Sequence, residues 1–264
     1  MEPIGIPIAE ICSDLTARLY QLARGIFSLV PSISSSDAQR FITRGVLKRT
    51  FIIRQNAAFI ISFKPSTTHA ICADMATELT MHANSLYVHI RGLFDNLAWA
   101  IAYEFPTYGQ VSESNKKDRS RIGLFHSAFI DKIPSHELAA FLREHVRWHD
   151  LLKEFRDPIA HRLPMYAVPS VIAEEDADRY QQLEKESIGA LMSMDIDKHS
   201  RLKQEKVKLT RYIPMLCHEQ DGQPMLLPMK PQVEQDVSIT AEILDLSRKL
   251  WSLQSPRKPC SATK

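Results

Sequence analysis

Glycine is scarce in this chain, with eight residues in 264. Phosphate-cradling loops and tight hairpins draw on that residue, and neither G-x-x-x-x-G-K nor G-x-G-x-x-G occurs. A mononucleotide or dinucleotide fold therefore has no support. Cysteine is also sparse. Cys12, Cys72, Cys217 and Cys260 are scattered without C-x-x-C spacing, which argues against a cysteine zinc site and fits a reduced, cytoplasmic setting. No run reaches 18 consecutive apolar residues, so no membrane span is expected. The opening "MEPIGIPIAEICSDL" has no basic region ahead of its apolar residues and is expected to be neither signal nor transit peptide. Charge of one sign is lacking as well. A formal net charge of +2, from 33 basic and 31 acidic residues, means that any nucleic-acid surface must be local and that no DNA specificity is evident. No Gly-x-Ser-x-Gly elbow points to a serine hydrolase.

What the chain does have is apolar periodicity, with 44% hydrophobic residues available for a core. Ile8, Ile11, Leu15, Leu19, Leu22, Ile26 and Leu29 recur at three- and four-residue steps, which predicts an amphipathic helix ended near Pro31. The stretch 50–63, "TFIIRQNAAFIISF", is rich in β-branched and aromatic residues, and a helix there would put Arg49 and Asn56 on its apolar face. The expectation is a pair of short strands. Residues 71–105 carry Leu79, Leu86, Ile90, Leu93, Leu97 and Ile101 at helical spacing, predicting the longest helix, ended before Pro106. The polar segment 107–121 is expected to be an exposed loop.

A further helix is predicted after Pro134, with Ser135 as N-cap, running through Leu138, Leu142, Leu152 and Phe155. Asp157-Pro158 should break it and start a short new turn. Pro164 and Pro169 favour extended chain, 174–205 is charged and partly helical, and 208–230 reads as a peripheral hairpin around Asp221-Gly222. A last helix is expected over about Val233 to Leu253. No internal repeat is visible. The expected class is mainly α: an antiparallel bundle with small β-hairpin additions, formed by 1–170. An extension, 171–254, packs on the same bundle, and 255–264 is a disordered tail.

Candidate chemistry gathers on one helix. His145, His149, Leu152 and Arg156 are separated by four, three and four residues and share a stripe. A break at Asp157-Pro158 would turn His161 back towards it. A guanidinium grips phosphate with two parallel donors, and an imidazole exchanges a proton near neutrality. Such a pair suffices for metal-independent RNA cleavage by 2′-hydroxyl attack. Arg91 and Asp95, one turn apart, make either an intrahelical ion pair or a link from Asp95 across the bundle to Arg156 or His161. The H-x-x-x-H spacing of His145 and His149 could ligate zinc with His161 or Asp150 as third ligand. Glu144 precedes His145 rather than following it, however, and a wet helix face with a His pair is the commoner outcome. No metal or cofactor is expected. Trp99 and Trp148 read as core or interface aromatics.

Arg156-Asp157-Pro158-Ile159-Ala160-His161 resembles the HEPN signature, an Arg, a polar residue and a His after a gap of four to six residues. "HIRGLFDNLAWAI" at 89–101 is similar to the helix of HEPN-like bacterial proteins that carries an Arg and, four residues on, Asp-x-Leu-Ala. The resemblance spans roughly 71–166. It implies an all-helical core, often dimeric, with two motifs facing each other across the dimer cleft. In active members, among them toxins, abortive-infection proteins and RNA-guided RNases, it implies an endoribonuclease. Arg156 would then hold the scissile phosphate, His161 serve acid–base chemistry and Asp157 orient the pair, with Arg91, Asp95, His145 and His149 in support. RNA, a second copy of the chain and an antitoxin or other protein are the implied partners. Two other readings stay open, a non-catalytic RNA- or protein-binding module and a His-ligated metal-binding bundle.

Overall fold

The structure, a computed structural model, describes residues 14–65, 69–161, 164–220 and 222–253, and the side chains of 158–161 and 220 lie outside that description. The fold is mainly α with small antiparallel sheets. Helix α1 (Asp14–Leu29) buries Leu19, Leu22, Ala23 and Ile26, the stripe its spacing predicts; residues 8–13 of that prediction and the tail 254–264 lie outside the described residues. Next come α2 (Ser36–Phe41) and α3 (Leu47–Ser62), joined without interruption by a π-helical turn, Ile42–Val46.

Helix α3 corrects the expected strands over 50–63. Its polar residues do face inward, but each finds a partner on the long helix α4 (Ala73–Glu104). Asn56 donates to Ser85 Oγ (2.9 Å) and meets a ring nitrogen of His82 through its own Oδ1 (2.7 Å), while Arg49 Nη1 lies 3.1 Å from His89 Nδ1. The His82 ring stacks on Phe59 with centroids 3.9 Å apart. A buried polar group penalises a helix only while it lacks a partner. With α4 alongside, packing overrides the β propensity of Ile52, Ile53, Ile60 and Ile61.

Helix α4 buries all six predicted stripe residues, Leu79 to Ile101, and packs against α2, α3 and the later helix α8. The segment 107–121 is less irregular than expected. Asn115 caps α5 (Lys116–Arg121), and Asp118 is buried, accepting from Ser112 N (2.9 Å) and pairing with Arg121. After the short α6 (Ser127–Ile130) comes α7 (His136–Glu144), whose Ser135 N-cap accepts from Leu138 N at 3.2 Å as predicted. The chain then breaks at His145 (φ −103°, ψ 14°) and restarts as α8 (Val146–His161).

Asp157-Pro158 is not the break, because α8 continues through it to His161. Pro158 forfeits one helical hydrogen bond, but Leu152 and Phe155 are buried on either side of a turn, and Phe155 sits edge-on to Tyr87 (5.3 Å) and His218 (5.4 Å). That anchorage holds the turn against the loss.

Beyond α8, β1 (Tyr166–Ala167) lies against α4 and β2 (Val171–Ile172) follows it. Helices α9 (Ala177–Met192) and α10 (Ile196–Lys208) pair through a small cluster of Leu183, Ala190 and Leu202. Strand β3 (Thr210–Arg211) pairs with β2. The expected hairpin is present as β4 (Met215–Gln220) and β5 (Gln223–Pro228), with Gly222 at φ 76° where a Cβ would be strained. The sheet order β1-β4-β5 places Pro224 and Pro228 on an edge strand, where a missing N–H is tolerated. Asp221 lies outside the described residues.

Last comes α11 (Met229–Ser252), which packs on α1, α3 and α7 and begins earlier than expected because Met229 is fully buried. Its Asp236, also fully buried, accepts from Tyr87 Oη (2.9 Å), Trp148 Nε1 (2.8 Å) and Gln232 Nε2 (3.0 and 3.1 Å). Burial raises its carboxyl pKa and those donors draw it back down. The carboxylate thus ties α4 and α8 to α11 and fixes how α8 lies along α4. No helix among the described residues is long and apolar enough to cross a membrane.

Candidate functional site between α3, α4 and α8

One side of α4 meets α3 through Ser85, His89 and Gly92, and another meets α8 through Tyr87, edge-on to Phe155, and Phe94, edge-on to Trp148. At 100° per residue, Arg91 and Asp95 project between these two sides. They form the floor of a recess. Asp95 is open to solvent, yet burial is the largest influence on its carboxyl and raises its pKa, with Arg91, Arg156, Arg49 and His126 pulling the other way.

The guanidinium groups there are incompletely paired. Among the described residues neither Arg91 nor Asp95 forms an ion pair at contact distance, with each other or across the bundle, and the buried Nε of Arg91 has no hydrogen-bond partner. Burial lowers the pKa of Arg91, Asp95 and Asp157 raise it, Arg156 lowers it and Asp150 raises it. Arg49 reaches the recess from α3 by lying in the notch of Gly92, where a Cβ would come 2.4 Å from its Cζ. The π-helical turn just ahead of it brings Gly45 against Asn96, whose Nδ2 a Cβ would meet at 2.5 Å. Such bulges recur at functional sites because they re-aim the helix that follows. His89, beneath Arg49, has its pKa lowered by burial and by that cation.

Helix α8 supplies the other wall. The His149 ring is stacked on Phe125 (4.1 Å, 13°), and burial first, then Arg91, His126 and Lys153, push its pKa down to about 3. It is neutral at physiological pH. Arg156 Nη1 lies 3.2 Å from Asp157 Oδ1 with both side chains about half exposed. Here Arg49, Arg91, Lys153 and Arg156 oppose Asp95, Asp150 and Asp157. That is a surplus of one cation, and among the described residues two of the guanidinium groups, those of Arg49 and Arg91, lack a carboxylate contact. An anion with several acceptor oxygens satisfies such a set.

The predicted residues divide as follows. Arg91, Asp95, His149, Arg156 and Asp157 share the recess. His145 does not, since its ring stacks on Phe141 (4.1 Å) with Nδ1 2.9 Å from the Phe141 carbonyl oxygen. The His161 side chain lies outside the described residues. Trp148 is held by Asp236, and Trp99 stacks on Phe41 (6.0 Å). Among the described residues no group of three His, Cys, Asp or Glu side chains is placed to hold a metal. A cavity of about 60 Å³ lined by Tyr108, Ile122 and Phe129 lies elsewhere, with none of these residues in its wall.

Arg49, His89 and His126 were missed. Gly92, an isolated glycine inside a helical pattern, was the available signal for the first two. His126 sits in a short connection between α5 and α6 where periodicity says nothing. Compared with protein-family models, curated proteins and solved structures, the chain has no match.

Proposed function

We propose that the recess binds a phosphate of single-stranded RNA and that the protein is a metal-independent endoribonuclease of HEPN type. The observation that supports this reading is that Arg49 from α3, lodged at Gly92, and Arg91 on α4 have no carboxylate contact among the described residues, while both, with Arg156, act electrostatically on solvent-accessible Asp95. In the proposed mechanism Arg156, steadied by Asp157, grips the scissile phosphate, and Arg91 and Arg49 stabilise the charge that builds on the phosphorane. His161 takes the proton of the attacking 2′-hydroxyl. Asp95 offsets part of the arginines' mutual repulsion until substrate enters. The reading includes pairing of two copies across the faces around 89–101 or 145–161, to be read by sedimentation.

The test is cleavage of a single-stranded RNA in EDTA by the purified chain. Expected are 2′,3′-cyclic phosphate ends, intact DNA and, for His161→Ala, a loss of cutting of ~10²–10⁴-fold with binding retained. Arg156→Ala should weaken both binding and cutting. RNA binding without cutting under any condition would replace the enzyme by a binding module, and cutting abolished by EDTA would revive the metal reading.

A further inference from the structure

Three of the four exposed aromatic side chains among the described residues stand on the face formed by α1 and α3, which pack together. Tyr20 (40% exposed) and Phe51 (44%) meet across the two helices, with ring centroids 6.3 Å apart and planes inclined by 57°. Phe27 (64% exposed) lies seven residues beyond Tyr20, two turns along the same side of α1. A single exposed ring is ordinary, but a group of three marks a place where something docks.

The charge of this layer is one-sided. Residues 14–62 hold seven Arg or Lys against Asp14 and Asp37, a local +5 in a chain of net +2. Arg24 and Arg54 lie over the Tyr20 ring, 6.0 and 5.5 Å from its centroid, an arrangement that steadies a guanidinium without using its in-plane N–H donors. Lys48 is exposed one turn ahead of Phe51. The carboxylates that α11 brings against α1 are engaged elsewhere, Glu242 with Arg18 and Asp245 with Arg248 and Lys249. Among the described residues neither Arg24 nor Lys48 pairs with a carboxylate. The face is separate from the recess, because Arg49 and Phe51 project to nearly opposite sides of α3, Arg49 to Gly92 of α4 and Phe51 to Tyr20 of α1.

A polyanion answers the cations, and flat unstacked rings answer the aromatics. A single nucleic-acid strand supplies both. An acidic peptide or an anionic lipid surface supplies only the charge, and a duplex keeps its bases stacked inside. Gln55, exposed one turn beyond Phe51, adds an amide of the kind that hydrogen-bonds a 2′-hydroxyl.

We propose that the α1–α3 face docks single-stranded RNA, with Phe27 and Phe51 each taking one base and Arg24, Arg54 and Lys48 taking phosphates. The inclined planes of Tyr20 and Phe51 cannot both lie flat on one base, so the strand is held with its bases splayed. The inference does not depend on the endoribonuclease reading of the recess.

The experiment is ultraviolet crosslinking of a 5-bromouridine-substituted single-stranded RNA to the intact chain, with identification of the modified peptides, beside titrations of the same RNA by fluorescence anisotropy. Crosslinks are expected in α1 and α3. Phe27→Ala and Phe51→Ala, at exposed positions where folding is little affected, should each weaken binding ~10-fold, and Phe51→Trp should retain it. Lys48→Gln should lower the salt slope by about one phosphate contact. Duplex RNA and single-stranded DNA of the same sequence should bind more weakly. No binding, crosslinks confined to other elements, affinity indifferent to both phenylalanine substitutions, or equal affinity for duplex RNA would each overturn the docking surface. DNA bound as tightly as RNA would overturn its assignment to RNA. Cutting at the recess is read separately in EDTA, so either reading can fail while the other stands.

Discussion

Asp236 and Asp95 are both carboxylates set against α4 and α8, and burial raises the pKa of both. Their surroundings differ in kind. Asp236 is sealed from water and receives hydrogen bonds from three side chains on three helices. Asp95 is open to water and surrounded by cations that do not close on it. A sealed, satisfied carboxylate has no capacity left for a ligand and serves to position helices. An open one among underpaired arginines marks a place where hydrogen-bonding capacity is kept in reserve. The first holds α8 in the position from which Arg156 acts on the second.

The largest effect should come from Asp236→Ala, which strands the Tyr87 hydroxyl and Trp148 indole donors. A loss of ~3–5 kcal/mol in urea unfolding is expected, against no more than ~1 kcal/mol for Asp95→Ala. Equal destabilisation by the two would break the comparison.

A smaller effect concerns His149, whose pKa of about 3 in the folded chain lies below the ordinary imidazole value. The unfolded chain binds the extra proton first, so the stabilisation is complete above pH ~6.5 and is lost as pH falls towards 3, at up to ~1.4 kcal/mol per pH unit. His149→Phe should flatten urea-midpoint stability across that window, and an unchanged slope would show that the ring is not sealed.

Gly92→Ala should be close to neutral in stability. The gain in helix propensity, ~1 kcal/mol, offsets the displacement of a flexible guanidinium. Its signature should be a change in the His89 imidazole resonances as Arg49 leaves, and an unaltered His89 spectrum would disprove the notch. The smallest effect on folding is expected for Arg156→Gln, and under the proposed RNA-binding reading it should reduce the salt dependence of binding by about one phosphate contact. An unchanged salt slope would remove Arg156 from the phosphate.

Where apolar residues repeat on one stripe, as from Leu79 to Ile101, or where a cap and a turn have dedicated chemistry, as at Ser135 and Gly222, the local pattern is enough to place the element, because the interactions that enforce it lie within a few residues. The stripe along α8 likewise carried Arg156 and His149 to one side. Helix α3 could not be read that way. Arg49 and Asn56 argue against a buried helix until His89, Ser85 and His82 are alongside, and those lie 26 to 40 residues away in the chain. The recess has the same character. Arg49 enters it only because Gly92 leaves room for a guanidinium, and the connection that carries His126 is docked on α8 only because Phe125 stacks on His149. The amino-acid sequence by itself determined the mainly helical class and the faces those helices bury. Which polar groups are sealed, as at Asp236, and which are left open and underpaired, as around Asp95, only the tertiary structure decided, because satisfaction of a polar group depends on partners that the chain brings together from a distance.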